Sequence, residues 1–163
     1  MNLYKQIYKT HDGLDDLIMY SDGKYLTKLS FIEDDLDVPV KDLDIFNKTR
    51  KWLDIYFSGA NPDFDIEYKM DYKSYFQKEV LDILGDVKYG ETISYGDIAK
   101  IIANKRGIKK MSAQAVGSAL GLNPICIIIP CHRVIGSNDK IGGYSGGINN
   151  KIALLKLEKY GKM

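Results

Sequence analysis

Residues 94–133 read SYGDIAKIIANKRGIKKMSAQAVGSALGLNPICIIIPCHR, and this stretch decides how the C-terminal half of the chain is organised. Ser94 stands where a cap belongs, ahead of a helical pattern through Ile98, Ile101 and Ile102. Ser112 does the same for a second pattern ending at Leu120. Two short helices over 94–103 and 112–120, joined by a basic loop, have the layout of a helix-turn-helix, with a connection longer than the usual 3 to 4 residues or so. The second helix is rich in small residues, which let a backbone approach another surface closely. After Asn123-Pro124, the apolar run ICIIIP over 125–130 reads as a strand buried on both faces, delivering Cys131, His132 and Arg133 at its exit.

Working outward, Ser74 precedes another helical pattern through Phe76, Val80, Leu81, Ile83 and Leu84, which Gly85 stops. The first 40 residues carry three β-rich runs, over 4–8, 14–20 and 24–32, separated by the turn signals HDG and SDG. Leu43, Phe46, Leu53, Tyr56 and Phe57 then recur at helical spacing, so a helix over 43–57 is expected to cover a small antiparallel sheet. Asn61-Pro62 and the charged segment 63–72 read as a linker or edge strand. Beyond Cys131, the glycine-rich GGYSGG of 142–147 forms a tight loop, and a last helix is expected over 149–160. The class is therefore α+β. A small N-terminal antiparallel sheet with a helix, over 1–70, precedes a mainly helical domain over 71–163 that holds the helix pair and an active-site strand.

Composition bounds the function. With 45% apolar and 28% charged residues in 163, the chain is that of a soluble globular protein able to fold alone. No run approaches the roughly 20 apolar residues that span a bilayer, and the opening MNLYKQIYKTHDG lacks the basic-then-apolar layout of a secretory signal. A cytoplasmic protein without a membrane partner is expected. Cys126 and Cys131 lie too far apart on an extended segment for a disulfide, which fits a reducing compartment. The net charge of +1 conceals an asymmetry. Residues 1–70 carry 9 Lys+Arg against 14 Asp+Glu, a balance of −5, and residues 71–163 carry 14 against 8, a balance of +6. Lys100, Lys105, Arg106, Lys109 and Lys110 form a cluster suited to a phosphate backbone, although a solvated loop gives the same pattern.

Cys131 is the natural nucleophile, because the thiolate is the reactive form and the adjacent histidine and arginine favour it. A Cys-His pair alone fits a structural reading equally well. Cys126, among isoleucines, reads as a small buried hydrophobe. No metal site is expected, since Cys126, Cys131, His132 and His11 lack paired ligand spacing. His11, in the HDG turn, reads as a surface residue without a role. GGYSGG lacks the order and context of a nucleotide-binding glycine loop.

IIIPCHRVIG resembles the signature of the O6-alkylguanine-DNA alkyltransferases, in which Pro-Cys-His-Arg-Val surrounds the acceptor thiol. Around it, in family order, stand FQKEVLDIL (76–84), GETISYGDIA (90–99), AVGSALGLNP (115–124), GGYSGG (142–147) and KIALLKLE (151–158). The resemblance implies single-turnover transfer of an alkyl group from O6 of guanine in double-stranded DNA to Cys131, with O4-alkylthymine a candidate second substrate. No cofactor is implied. His132 would act as base through a water, and Glu158 would orient it. Asn123 would brace the turn before the active-site segment, and Tyr95 would bond the guanine and help to rotate its phosphate. The carbonyls of Cys131 and Val134 would accept the exocyclic amine, while Tyr144, Ser145 and Gly146 would close over the base.

The resemblance also places the second helix in the DNA minor groove, with Ser112, Ala113, Ala115 and Gly117 on the approaching face and Lys109, Lys110 and Arg133 contributing to DNA binding. The protein is expected to work as a monomer. Gln114 departs from the best-known members, which carry an arginine that fills the space of the flipped nucleotide. Two rivals share some of these features: a sensor that binds alkylguanine without removing it, and a cysteine hydrolase.

Overall fold

The computed structural model describes residues 2–10, 13–32 and 36–163 and divides into two compact units. The first holds residues 1–70 with 153–163, and the second holds residues 71–152. The last eleven residues group with the first unit rather than with 71–152. His11 lies outside the described residues.

In the first unit, β1 (Tyr4–Tyr8), β2 (Leu17–Ser21) and β3 (Leu26–Phe31) form an antiparallel sheet in the order β1-β2-β3. Tyr4 pairs with Ser21 and Leu17 with Phe31, and the register shifts at Tyr20/Ser21. The central strand β2 is buried along its whole length, so LIMYS shows no alternation. The β2–β3 turn is held by the Asp22 carboxylate, which accepts from the amides of Lys24 and Tyr25 and is thereby held below its ordinary pKa. Residues 67–69 add a short parallel bridge to β3 through Leu26, the edge pairing anticipated for 63–72. Helix α1 (Asp44–Phe57) buries Phe46, Thr49, Leu53, Tyr56 and Phe57 on one face. Its polar groups are matched: Thr49 donates to the Ile45 carbonyl, and Tyr8 donates to Asp54 at 2.6 Å.

In the second unit, α2 (Tyr75–Leu84), α3 (Tyr95–Arg106) and α4 (Ala113–Gly121) pack on one another. Each begins as its sequence dictates. The hydroxyls of Ser74, Ser94 and Ser112 accept from the amides of Gln77, Asp97 and Ala115, contacts worth about 1 kcal/mol apiece. Helix α3 extends beyond the expected 103 to Arg106, whose guanidinium pairs with Glu79, and ends at Gly107 in the left-handed region. The short strands β4 (Ile93–Ser94) and β5 (Val134–Ile135) pair in parallel.

The run ICIIIP is not a strand. Ile125 forms a single β-bridge and residues 126–129 turn tightly, with Ile128 N–H donating to Cys126 O at 2.8 Å and Ile129 N–H to Ile125 O at 3.2 Å. Ile127 sits at φ 68°, a strained value for a β-branched residue. Buried backbone groups must be paired, and here the Asn123 side chain takes up several of them. It accepts from Ile125 N–H at 3.0 Å and donates to the carbonyls of Ile125 (3.2 Å) and Ile129 (3.1 Å). Helix α5 (Ile148–Tyr160) begins in the second unit and finishes among the residues grouped with the first.

Candidate active site

Cys131 opens a single 3-10 turn, Cys131–Arg133, directly after the turns that Asn123 secures. Its thiol is buried at 6% exposure and borders a cavity of about 540 Å³, within the roughly 300–1,000 Å³ of small-molecule sites. Tyr95, Ala113, Gln114, Gly117, Tyr144 and Ser145 are among the residues that line it. The residues expected to close over a base and those expected at the DNA-facing helix thus meet around one thiol.

The electrostatics of that thiol balance burial against donors. Burial pushes the Cys131 pKa up, because a low-dielectric site disfavours the thiolate. Opposing it are the Asn123 amide, which donates to Sγ at 3.3 Å, the Lys151 ammonium, and the polar Tyr144 side chain. Asn123 therefore does more than brace a turn: one amide group fixes the turns and the Cys131 sulfur together. Tyr95 donates to the Gly143 carbonyl at 3.2 Å, and its pKa is raised by burial and by the proximity of Cys131. A Cβ on Gly142, at φ 73°, would come within 2.9 Å of the Tyr95 hydroxyl, so the loop closes against Tyr95 only with glycine there.

Lys151 is the residue that sequence reasoning missed. It is fully buried, and its ammonium donates to Val134 O at 2.6 Å and Gly143 O at 3.0 Å. It thereby ties the glycine loop to the segment that follows Cys131. Burial brings its pKa down to about 8, against the opposing pull of Cys131. A signal was present: Lys151, Leu154 and Glu158 recur at i, i+3 and i+7, one face of a helix, and all three are buried. The Val134 carbonyl, which the resemblance assigned to the guanine amine, is engaged by Lys151, leaving one lone pair for a substrate.

The remaining residues fall in five places. His132 follows Cys131 in the same turn and is fully buried. Gly146 gives its carbonyl to the Asn150 amide at 2.6 Å, which shapes the loop, and Ser112 caps α4, where Ala115 N–H is its donor. Lys109 and Lys110 border a second groove, together with Lys100 of α3. Glu158 belongs to the first unit, where the Tyr56 hydroxyl donates to it at 2.6 Å.

Arg133 requires a correction. It was expected to contribute to DNA binding, but its side chain is buried, donates to Val87 O at 2.9 Å and lies over the Tyr89 ring at 5.8 Å. A guanidinium committed to an internal carbonyl and an aromatic face is structural.

Residues 75–160 match the family model described as the DNA binding domain of 6-O-methylguanine DNA methyltransferase. The chain is 37% identical over 161 residues to the methylated-DNA–protein-cysteine methyltransferase of Methanosarcina acetivorans, covering 96% of this chain and 98% of the relative. It is 41% identical over 157 residues to the protein of that name from Mycobacterium bovis, covering 93% and 92%. Its structure superposes with a TM-score of 0.82 on Mycobacterium tuberculosis OGT in complex with DNA, at 38% identity over 98% of this chain and 94% of that one. The chain belongs to the methylated-DNA–protein-cysteine methyltransferase family.

Proposed function

We propose that this protein repairs DNA by direct reversal, moving the alkyl group of O6-alkylguanine onto Cys131 in a reaction that each molecule performs once. The observation that carries this reading is the buried Cys131 thiol, bordering a cavity together with Tyr95, Tyr144 and Ser145 and held by the Asn123 amide. The thiolate attacks the alkyl carbon in line, a C–S bond forms as the C–O bond breaks, and the electron pair leaves with guanine. A proton delivered to the purine neutralises it, and a thioether remains. On the family resemblance, Cys131, His132 and Glu158 act as a relay. His132 removes the thiol proton through a water, and Glu158 keeps the imidazole in the required orientation.

The target base must leave the duplex to reach a buried sulfur, at a cost of a few kcal/mol. In this reading the protein binds as a monomer through the minor groove, α3 and α4 act as a helix-turn-helix, and Ala113, Ala115 and Gly117 allow the close approach. Tyr144, Ser145 and Gly146 enclose the flipped base. Lys109 and Lys110 meet the phosphates. The protein works in the cytoplasm. Incubation with a duplex containing O6-methylguanine should add the mass of one CH₂ unit to the intact protein, on the peptide holding Cys131. Binding without a mass gain would favour a sensor, and repeated turnover of an ester would favour a hydrolase.

Gln114 lines the cavity mouth and is exposed. If its side chain fills the gap left by the flipped guanine, Gln114→Arg should tighten duplex binding and speed repair, because arginine adds charge and a flat stacking surface. Gln114→Ala should slow repair of duplex DNA. Reaction with free O6-benzylguanine, which needs no flipping, should change little in either variant. An identical duplex-to-free-base rate ratio in all three proteins would assign extrusion to another side chain of α4.

A further inference from the structure

Within the first unit, α1 and the last turns of α5 share a buried polar pair that the proposed relay does not explain. Tyr56 is fully buried, and its hydroxyl donates to Glu158 Oε2 at 2.6 Å, with Glu158 itself only 7% exposed. The Tyr56 ring is immobilised on two sides. Trp52 stacks on it at 5.6 Å with an interplanar angle of 8°, and Phe57 meets it edge-on at 5.3 Å and 84°. The hydroxyl therefore occupies a fixed point, and so does the carboxylate oxygen it holds. A short bond from a phenol to a carboxylate is charge-assisted and directional. For stability alone, an apolar pair of similar volume would serve at least as well, because burying a carboxylate carries a desolvation cost.

We infer that Tyr56 is a positioning residue for alkyl transfer: its hydroxyl pins one oxygen of Glu158, the carboxylate to which the relay reading assigns the orienting role. This rests on the relay reading above. Tyr56 keeps its proton throughout and touches no reacting atom. Tyr56 and Glu158 lie in the same unit, so the residue that holds the relay carboxylate belongs to the N-terminal fold.

The test is a double-mutant cycle on the full-length protein, following single-turnover reaction with O6-benzylguanine as a function of pH. Tyr56→Phe is expected to react about tenfold more slowly, the scale of one charge-assisted hydrogen bond. Its rate profile should move to higher pH in the same direction as that of Glu158→Gln. The double variant should be no slower than Glu158→Gln alone, since the tyrosine acts only through the carboxylate. A wild-type rate in Tyr56→Phe, with Glu158→Gln slow, overturns the role of Tyr56 and leaves the relay standing. A wild-type rate in Glu158→Gln overturns the relay and this inference with it. Losses that add fully in the double variant mark a structural effect independent of the carboxylate and also overturn it. If Tyr56→Phe does not fold, 3-fluorotyrosine at position 56 keeps the ring and acidifies the hydroxyl. An unshifted pH profile in that protein overturns the inference.

Discussion

Cys131→Ser should bind alkylated DNA and leave it unreacted. The substitution shortens one bond and changes little else in the cavity, and Asn123 and Tyr144, which face the sulfur, can donate to a hydroxyl equally well. The fold and helix α4 are therefore retained. What disappears is the nucleophile, because a serine hydroxyl ionises far less readily than a thiol and is a poor nucleophile without strong activation. The rate should fall by at least about a thousandfold, with duplex affinity unchanged within about twofold. Intact-mass and gel-shift measurements on one preparation read both quantities. Methyl transfer near the wild-type rate would refute the assignment of Cys131. Cys126→Ser is the matched control, since Cys126 is buried among the turns of 125–129 and does not line the cavity. It should still accept the alkyl group, with a stability cost of about 1–3 kcal/mol for a hydroxyl in an apolar site.

Lys151→Met should come next in severity. Methionine matches the length of the lysine stem, so the volume is kept and the charge removed. Two carbonyls, Val134 O and Gly143 O, lose a donor, and the loop that carries Tyr144 and Ser145 loses its tie to the segment after the nucleophile. Cys131 also loses a cation that lowers its pKa, so thiolate formation moves to higher pH. Both effects slow the reaction, and together they should cost about a hundredfold on O6-benzylguanine near neutral pH. A rate within about twofold of wild type would show that the ammonium has no part in the chemistry.

Stability gives a second reading of the same residue. The pKa of Lys151 is about 8 in the folded protein, below the ordinary lysine value of 10.5. Between these values the unfolded chain binds more protons, so the Lys151 contribution to stability rises with pH through that window and is least favourable below about 8. Lys151→Met lacks this rise. Denaturant titrations at pH 7 and pH 10 should show the wild-type protein losing less stability at the higher pH than the variant does.

Local chemistry made much of this legible in the sequence. Strand β1 and the serine caps at 74, 94 and 112 depend on near neighbours, and the helical faces of α1 to α4 depend on a period of 3.6 residues. The turns of 125–129 were not legible, because an unbroken apolar run records burial and leaves the backbone path open. Asn123, two residues before Ile125, supplies that path. Arg133 and Lys151 are the complementary failure. A charged residue reads as solvated until the carbonyls that receive it are known, and Val87 and Val134 lie 46 and 17 residues from the side chains they bind. Tyr56 could be read as a core aromatic, but the partner of its hydroxyl lies 102 residues away.

The two adjacent glycines of the loop make unequal demands on natural variation and on the protein engineer. Gly142 is closed, since its backbone hand and the Tyr95 hydroxyl together exclude a Cβ. A Cβ added at Gly143 would meet nothing within 4 Å, and this residue borders the cavity. Diversity introduced at 143 enters the rim of the pocket without disturbing its wall, so libraries that seek to retune the protein toward larger adducts should vary that residue and leave its neighbour fixed.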